Sequence, residues 1–322
     1  MSRAGASLEE ELSVAVDAAR QAGQLQVERY ERVERIVHKS ERDVVTEVDE
    51  LSEQLIIGAL RKAFPTDSFL AEESGHHVAS GSRVWVIDPL DGTINYANGI
   101  PFFCVSIGLA VNGTPALGVV YDAVRDEMFS AQAGRGASLD GSPIRLPIKD
   151  RLVDCVASVS LPRRGWARRD HAVRRRIRVA RSMGSAALAL AYLANGRFDA
   201  FVQAGGMSAW DICAAGLIAV EGGARLSTLS GGPWFDINRP TKSIGLLGAA
   251  AVHHQTLLEL LKLPRSPSPG STTRCCTCVT STAPSTSTPR PSASRSCRGC
   301  ATSPRSCARR AATTTTTWDY SP

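Results

Sequence analysis

Val84-Trp85-Val86-Ile87-Asp88-Pro89-Leu90-Asp91-Gly92-Thr93 is the stretch on which the fold and its chemistry turn. Four mostly apolar residues run into Asp88, and a short apolar run of this kind predicts a buried strand. Pro89 is expected to end that strand, because proline brings no N–H to a ladder. Asp91 follows two residues after Pro89, so two carboxylates stand at one strand tip. Like charges about 4 Å apart repel by about 4 kcal/mol at the effective dielectric of a protein surface, which calls for a cation between them. Oxygen donors alone suit Mg2+, Mn2+ or Ca2+ rather than zinc. Gly92 and Thr93 then open a short helix, whose bare amides suit a phosphate. A strand followed by an Asx-type turn would give the same order of residues with no ligand, so this stretch alone leaves both readings open.

Upstream, Leu8, Leu12, Val16 and Ala19 recur at helical spacing and predict an amphipathic helix over residues 8 to about 33. A polar stretch with Lys39, Ser40, Asp43, Thr46 and Asp49 follows. A second helix is expected over about 49–64, with Leu51, Leu55, Ile56, Ala59 and Leu60 on its apolar face and Pro65 as its stop. Residues 68–71 read as a short strand leading to Glu72-Glu73-Ser74, and 75–82 as a polar loop. His76 and His77 in that loop lack the Cys or further His of a zinc site. Downstream, 102–111, 116–122 and 127–133 read as strands. Asn112-Gly113 is a hairpin signal between the first two, and Asp140-Gly141 suggests a later turn. This half is expected to pack two helices on an antiparallel sheet.

Residues 153–161 open the second half as a strand. The very basic segment 163–181 reads as a solvated helix face. Ser182-Met183-Gly184-Ser185 precedes a helix over 186–194, capped by Asn195-Gly196. After a strand at 198–202, Gly205-Gly206 leads to Ala209-Trp210-Asp211 and an apolar helix over 212–221, stopped by Gly222-Gly223. Asp211 falls in the first turn, where the helix dipole favours a carboxylate; a plain N-terminal cap would look the same. Strands at 225–227 and 243–247 and a helix at 256–261 complete the half. Strands alternating with helices predict a second α/β layer.

A chain of 322 residues is long enough for two domains or one large one, and it divides at residues 1–150 and 151–263. From Pro264 the composition changes abruptly to Ser, Thr, Pro, Arg, Cys and Ala. This tail, 264–322, carries eight Arg, no Lys and one acid, Asp319; with the whole chain at +6, residues 1–263 carry −1. The basic charge is therefore the tail's and gives no nucleic-acid signal for the folded part. The tail also holds six of the nine Cys, including Cys297-Arg298-Gly299-Cys300, and a run from Thr313 to Thr317. Almost no apolar residue is present to build around a zinc ion. Disorder is expected there, and the abrupt shift just after a final helix suggests a frameshift product. Cys104, Cys155 and Cys213 are too scattered for a disulfide framework, which fits a reducing cytoplasm. The acidic start from Met1 to Glu11 has no apolar core, so no secretory signal is expected. No apolar run reaches the length that spans a bilayer.

Five acids stand at element ends rather than on exposed helix faces: Asp49, Glu72, Asp88, Asp91 and Asp211. Their order has a recognisable form. Asp43-Val44-Val45-Thr46-Glu47-Val48-Asp49, Glu72-Glu73-Ser74, Asp88-Pro89-Leu90-Asp91-Gly92-Thr93, and Trp210-Asp211 with Gly222-Gly223 after it together resemble the inositol monophosphatase family. These are Mg2+-dependent, often lithium-sensitive phosphatases of sugar and inositol phosphates. The resemblance covers about residues 8–263 and leaves the tail outside.

The resemblance implies a mixed α+β and α/β fold, a layered α-β-α-β-α sandwich of the inositol monophosphatase and fructose-1,6-bisphosphatase type, assembled as a homodimer. Carried over residue by residue, it places Glu72, Asp88 and the Leu90 carbonyl on one Mg2+ ion, and Asp88, Asp91 and Asp211 on a second. A third, weaker site would use Glu72. Gly92 and Thr93 would offer amides to the phosphate, and Asp49 and Thr93 would orient the attacking water. Gly184, Ser185 and Ala186 would line the substrate's hydroxyl side. The implied reaction is hydrolysis of a small phosphate monoester, inositol-1-phosphate first, with no covalent enzyme intermediate and no membrane or nucleic-acid partner. Such an ester is a dianion that repels hydroxide and hydrolyses very slowly unaided; metal charge answers both problems. Without metal the clustered acids should make the protein less stable.

One departure bears on the substrate. The family's inositol phosphatases usually carry a Glu some seven residues before the W-D aspartate. Here Phe201-Val202-Gln203-Ala204-Gly205-Gly206 occupies that region, and Gln203, one residue further away, is the nearest hydroxyl-binding candidate. Fructose-1,6-bisphosphatase, histidinol-phosphatase and nucleotide 3′-phosphatase therefore stand as enzyme alternatives. An inactive regulatory or RNA-binding relative acting through 163–181 is the non-enzyme alternative.

Overall fold

The quoted stretch is an inner strand of a large sheet on which the other layers are built. The computed structural model describes residues 7–32, 35–40, 43–77 and 82–264, all of one compact unit; the expectations for the tail lie outside the described residues. In chain order the first half holds α1 (Glu9–Arg29), β1 (Ile36–Ser40), β2 (Asp43–Thr46), α2 (Glu47–Ala63), β3 (Ser68–Ala71), β4 (Gly75–His77), β5 (Arg83–Asp91), α3 (Thr93–Ala97), β6 (Cys104–Val111), β7 (Thr114–Asp122), β8 (Glu127–Gln132), β9 (Gly136–Leu139) and β10 (Ser142–Ile144). The second half holds β11 (Val156–Ser160), α4 (Arg163–Arg174), β12 (Val179–Arg181), α5 (Ala186–Ala194), β13 (Ala200–Met207), α6 (Ala209–Glu221), β14 (Arg225–Thr228), β15 (Ile244–Ala249) and α7 (Ala251–Leu261).

Eight strands form the first sheet in the order β10-β9-β8-β7-β6-β5-β3-β4, antiparallel except for the parallel pair β3–β5. Five form the second, in the order β12-β11-β13-β15-β14, with β11 parallel to both its neighbours. The alternation of side chains along β5 and its neighbours assigns the layers. Trp85, Ile87, Ile107, Leu109 and Val119 join the apolar faces of α1 and α2. On the other face, Val86 and Ala110 meet Ala209, Trp210 and Cys213 of α6. Residues of α5 and α6 bridge Val120 and Phe129 of the first sheet to Phe201, Leu226 and Leu246 of the second. The outer face of the second sheet is covered by Val173 of α4 and Leu257, Leu258 and Leu261 of α7. The order is helices, sheet, helices, sheet, helices: the expected α-β-α-β-α sandwich.

Several boundaries differ from those expected. Pro89 does not end its strand: β5 continues to Asp91, with a register shift between Asp88, which pairs with Ser106, and Asp91, which pairs with Cys104. Three residues advance on β5 while two advance on β6, which is a β-bulge. There Pro89 needs no N–H, and its carbonyl accepts from the buried Gln26 Nε2 at 2.7 Å. The polar stretch before α2 is the antiparallel hairpin β1–β2, and His76 and His77 lie on β4 rather than in a loop. The fully buried face of α1 is mostly small residues, Ala15, Ala18, Ala19, Ala22 and Gly23, with Gln26, while the expected Leu8, Leu12 and Val16 are partly buried and pack against the same core. Leu51 is exposed, while Ser52 and Glu53 are buried in its place. The basic segment contributes α4 and then β12, with Val173 and Ile177 buried. Both hairpin signals hold: Asn112-Gly113 and Asp140-Gly141 have positive φ at both residues, as a type I′ turn requires.

The middle helix α6 lies unusually close to the first sheet. A Cβ on Gly118 of β7 would stand 2.6 Å from the Ala214 carbonyl oxygen and 2.8 Å from its Cα, and one on Gly108 of β6 would stand 2.6 Å from Cys213 Sγ. Gly118 meets backbone, which cannot rotate away. Gly118→Ala should therefore cost about 1–3 kcal/mol or more and push α6, with Asp211, away from β5. Thermal denaturation of the variant checks this; an unchanged melting temperature would show that the contact is not limiting.

Candidate active site

The bulge in β5 decides the chemistry of the site. In a regular strand Asp88 and Asp91 would point to opposite faces, because their separation is odd. The extra residue removes that conflict: Leu90 joins Val48, Tyr96 and Phe103 in a buried cluster, and both aspartates turn to one cavity. Gly92 follows at φ +103°, and a Cβ there would stand 3.1 Å from the Phe102 carbonyl oxygen. Only glycine makes this turn freely, and it delivers Thr93 to the start of α3.

Asp211 reaches the same cavity from α6. Its carboxylate caps its own helix, accepting the Ser208 N–H at 2.5 Å. Ser106, opposite Asp88 in the ladder, donates to the Trp210 carbonyl at 3.3 Å and ties this turn to the first sheet. Oxygens of Asp88, Asp91 and Asp211 lie within 4.8 Å of one another. The cavity, about 440 Å3, is also lined by Glu72 from the turn after β3. Burial, joined by the charges of Glu72, Asp91 and the Asp211 carboxylate, pushes Asp88 well above the ordinary carboxylate range. Burial, then Asp91 and Glu72, does the same to Asp211. Asp91 is also pushed up by burial, but the Ser185 hydroxyl and the first amides of α5 pull it back. Its Oδ2 accepts from Ser185 Oγ at 2.5 Å and the Ala187 N–H at 2.6 Å.

Asp49 stands behind this group. It occupies the third position of α2 in a capping box with Thr46: its Oδ2 accepts the Thr46 N–H at 2.9 Å and the Thr46 hydroxyl at 2.5 Å. Its Oδ1 accepts the Thr93 hydroxyl at 2.8 Å. The N-termini of α2, α5 and α6 thus each hold one acid at the site, and their dipoles offset part of the carboxylate repulsion.

Every candidate residue except Asp49 lines this one cavity: Glu72, Asp88, Leu90, Asp91, Gly92, Thr93, Gly184, Ser185, Ala186, Gln203 and Asp211. Asp49 reaches it through Thr93. Gly184, at φ +85°, packs on the buried Asn95, whose Nδ2 donates to the Met183 carbonyl at 2.8 Å. Gln203 donates to the Gly205 carbonyl at 3.3 Å. The sequence reading missed Ser158 and Ser160 of β11, Ser208 at the N-cap of α6 and Lys242 in the turn before β15, which complete the wall. No motif marks them; only the pairing of β11 with β13 brings Ser160 beside Gln203.

The donor set fits a divalent cation. Converging carboxylates in an all-oxygen group, all three raised by burial and Asp88 and Asp211 raised further by neighbouring acids, suit a hard divalent cation such as Mg2+, Mn2+ or Ca2+ and not a sulfur- or nitrogen-loving metal. Among the described residues no helix is long and apolar enough to cross a membrane.

Comparison with known proteins agrees in extent and fold. The family model described as the inositol monophosphatase family matches residues 7–263. Inositol monophosphatase 1 of Solanum lycopersicum is 38% identical over 248 residues, covering 74% of this chain and 90% of that protein. The Nus factor SuhB of Pseudomonas aeruginosa is 39% identical over 240 residues, covering 68% and 86%. Among solved structures, the extragenic suppressor protein suhB of Bartonella henselae matches with a TM-score of 0.74 at 32% identity, covering 79% of this chain and 99% of that one. The Thermotoga maritima IMPase matches with a TM-score of 0.70 at 31% identity, covering 78% and 96%.

Proposed function

The chain belongs to the inositol monophosphatase family, and we propose that it hydrolyses a small phosphate monoester with Mg2+, inositol-1-phosphate being the preferred substrate. The observation that carries this reading is the convergence of Asp88, Asp91 and Asp211 within 4.8 Å in a cavity that Glu72 also lines. These four side chains and the Leu90 carbonyl would hold the two or three ions. When bound, the ions supply positive charge that activates water and stabilises the leaving oxygen.

The chain's own residues supply the rest. Gly92 and Thr93, at the start of α3, hold the phosphate with main-chain amides. Thr93 accepts a proton-bearing water at its hydroxyl oxygen while its own proton points to Asp49 Oδ1, so the pair orients the water and takes up its proton. Gly184, Ser185, Ala186 and Gln203 face the alcohol part of the substrate. The homodimer and lithium sensitivity belong to the same proposal.

A second reading has one observation in its favour. Among the described residues lining the cavity Lys242 is the single cationic one, and Gln203, the nearest candidate to the family's usual acid, is neutral. A cation with no such acid beside it suits an alcohol carrying a second anionic group, such as a sugar bisphosphate or a nucleotide. Phosphate release with Mg2+ from inositol-1-phosphate, fructose-1,6-bisphosphate, histidinol phosphate and a nucleotide 3′-phosphate decides between them. We expect inositol-1-phosphate to give the highest kcat/KM. A bisphosphate ahead by about tenfold, or 1.4 kcal/mol, would move the assignment to the second reading. No release from any of the four would overturn the enzyme reading and leave the Nus factor SuhB relatives as the better likeness.

A further inference from the structure

The geometry points to Glu53 as the residue that positions Glu72: we propose that its carboxylate locks the turn at 72–74 in the conformation from which Glu72 faces the metal cavity. The proposal rests on the metal reading above. Glu53 lies on α2 one helical turn after Asp49 and is 3% exposed. Its Oε2 accepts the Glu73 N–H and its Oε1 the Ser74 N–H, both at 2.8 Å. The Glu72 N–H donates to the Ile87 carbonyl of β5 at 3.2 Å. Three consecutive amides are therefore tied down, the first by the strand that carries Asp88 and the next two by one carboxylate. Gly75 then reverses the chain at φ +75° into β4.

A buried carboxylate is expensive unless its acceptors are filled, and an apolar residue would serve a plain packing role better. Further along the same face Ile56, Ile57 and Leu60 do that. The face becomes polar only at the cavity end, at Asp49, Ser52 and Glu53. The side chain chemistry is also specific. Two adjacent N–H donors need two acceptor oxygens on one planar group, and a carboxylate offers them with charge assistance. The turn has a load to resist: Glu72 lines the same cavity as Asp88, Asp91 and Asp211, and like charges gathered in one cavity repel. Glu53 thus acts through Glu72 and touches no substrate.

Glu53→Gln in the full chain tests this, read by Mg2+ titration calorimetry without substrate and by hydrogen exchange of the 72–75 segment. Glutamine has one acceptor, and its amide donors face an N–H. We expect Mg2+ affinity to fall about tenfold or more, in the range of lost outer-sphere partners, with faster exchange confined to the turn. At saturating Mg2+ kcat should recover to near the wild-type value, a KM-like shift in metal that general loosening would not produce. A folded Glu53→Gln that binds Mg2+ as tightly as wild type overturns the proposal, whatever its exchange rates. If that variant does not fold, Glu53→Asp, which keeps both acceptors but falls a methylene short, must show the same loss of affinity, and unchanged affinity again overturns it. Wild type that binds no Mg2+ sinks the metal reading itself, and this proposal with it.

Discussion

Asp88→Asn should lower kcat/KM by about a thousandfold or more, since a lost ion removes several kcal/mol of charge stabilisation and each 1.4 kcal/mol is tenfold in rate. The same substitution should raise the melting temperature of the metal-free protein. Asp88 is 1% exposed, and burial first, then Glu72, Asp91 and Asp211, opposes its ionisation. Asparagine removes that unfavourable charge while keeping an oxygen for the Leu90 N–H, which Asp88 Oδ1 accepts at 3.1 Å. The pH dependence follows from the direction of the shifts. Asp88, Asp91 and Asp211 all have folded-state pKa values above their unfolded ones. Their contribution to stability is thus fully present below the unfolded value of about 4 and is lost as pH rises through the folded values. Metal-free wild type should melt at lower temperature at pH 8 than at pH 5, Asp88→Asn should lose less over that range, and Mg2+ should restore wild type only. Melting curves in chelator and in Mg2+ give both comparisons. A variant with near-wild-type rate would refute Asp88 as a ligand; one less stable than wild type without metal would refute the repulsion.

The acids were visible in the sequence because each stands where an element begins or ends, and because D-P-L-D-G-T and W-D are specific local patterns. Their convergence was not visible. Asp88 and Asp91 are an odd number of residues apart, which in an unbroken strand separates them; the bulge that unites them depends on β6 pairing and on Gln26 from α1 holding the Pro89 carbonyl. Proline looked like a strand stop because its missing N–H is only harmless at a bulge or edge. Ser158, Ser160 and Lys242 were missed for a related reason. Ser158 and Ser160 join the cavity through β11, whose parallel pairing with β13 is set by a crossover rather than by any local signal, and Lys242 joins it from the turn before β15, where its N–H donates to Ser208 Oγ at 2.9 Å. Glu53 was hidden by the strength of the helical pattern around it: one acid on a helix reads as a solvated position until the fold turns that face inward.

The second large effect is expected at Thr93, and the hydrogen-bond directions show why. Asp49 Oδ2 is already filled by the Thr46 N–H and hydroxyl, so Asp49 Oδ1 draws the Thr93 proton at 2.8 Å. The Leu90 carbonyl, at 3.1 Å, is the other acceptor within reach. With its proton turned away from the cavity, the Thr93 oxygen presents lone pairs to whatever water lies there. Thr93→Ala should lower kcat by about a hundredfold to ten-thousandfold, the usual worth of a positioned acid–base group, and leave the Mg2+ requirement unchanged, because no carboxylate moves. Thr93→Ser keeps the hydroxyl and should retain most of the rate. Asp49→Asn should lower kcat as well: its amide, turned to Thr46, loses the bond from the Thr46 N–H, and, turned to Thr93, donates to the hydroxyl oxygen and occupies the lone pair meant for the water. Only this variant should also lose stability, about 1 kcal/mol for a damaged cap, because Thr46 and Asp49 close the N-terminus of α2. Steady-state rates over a Mg2+ series, set beside melting temperatures, separate the two roles: a fall in rate for both variants with a fall in stability for Asp49→Asn alone is the expected pattern. Near-wild-type kcat in Thr93→Ala would remove the relay from the mechanism.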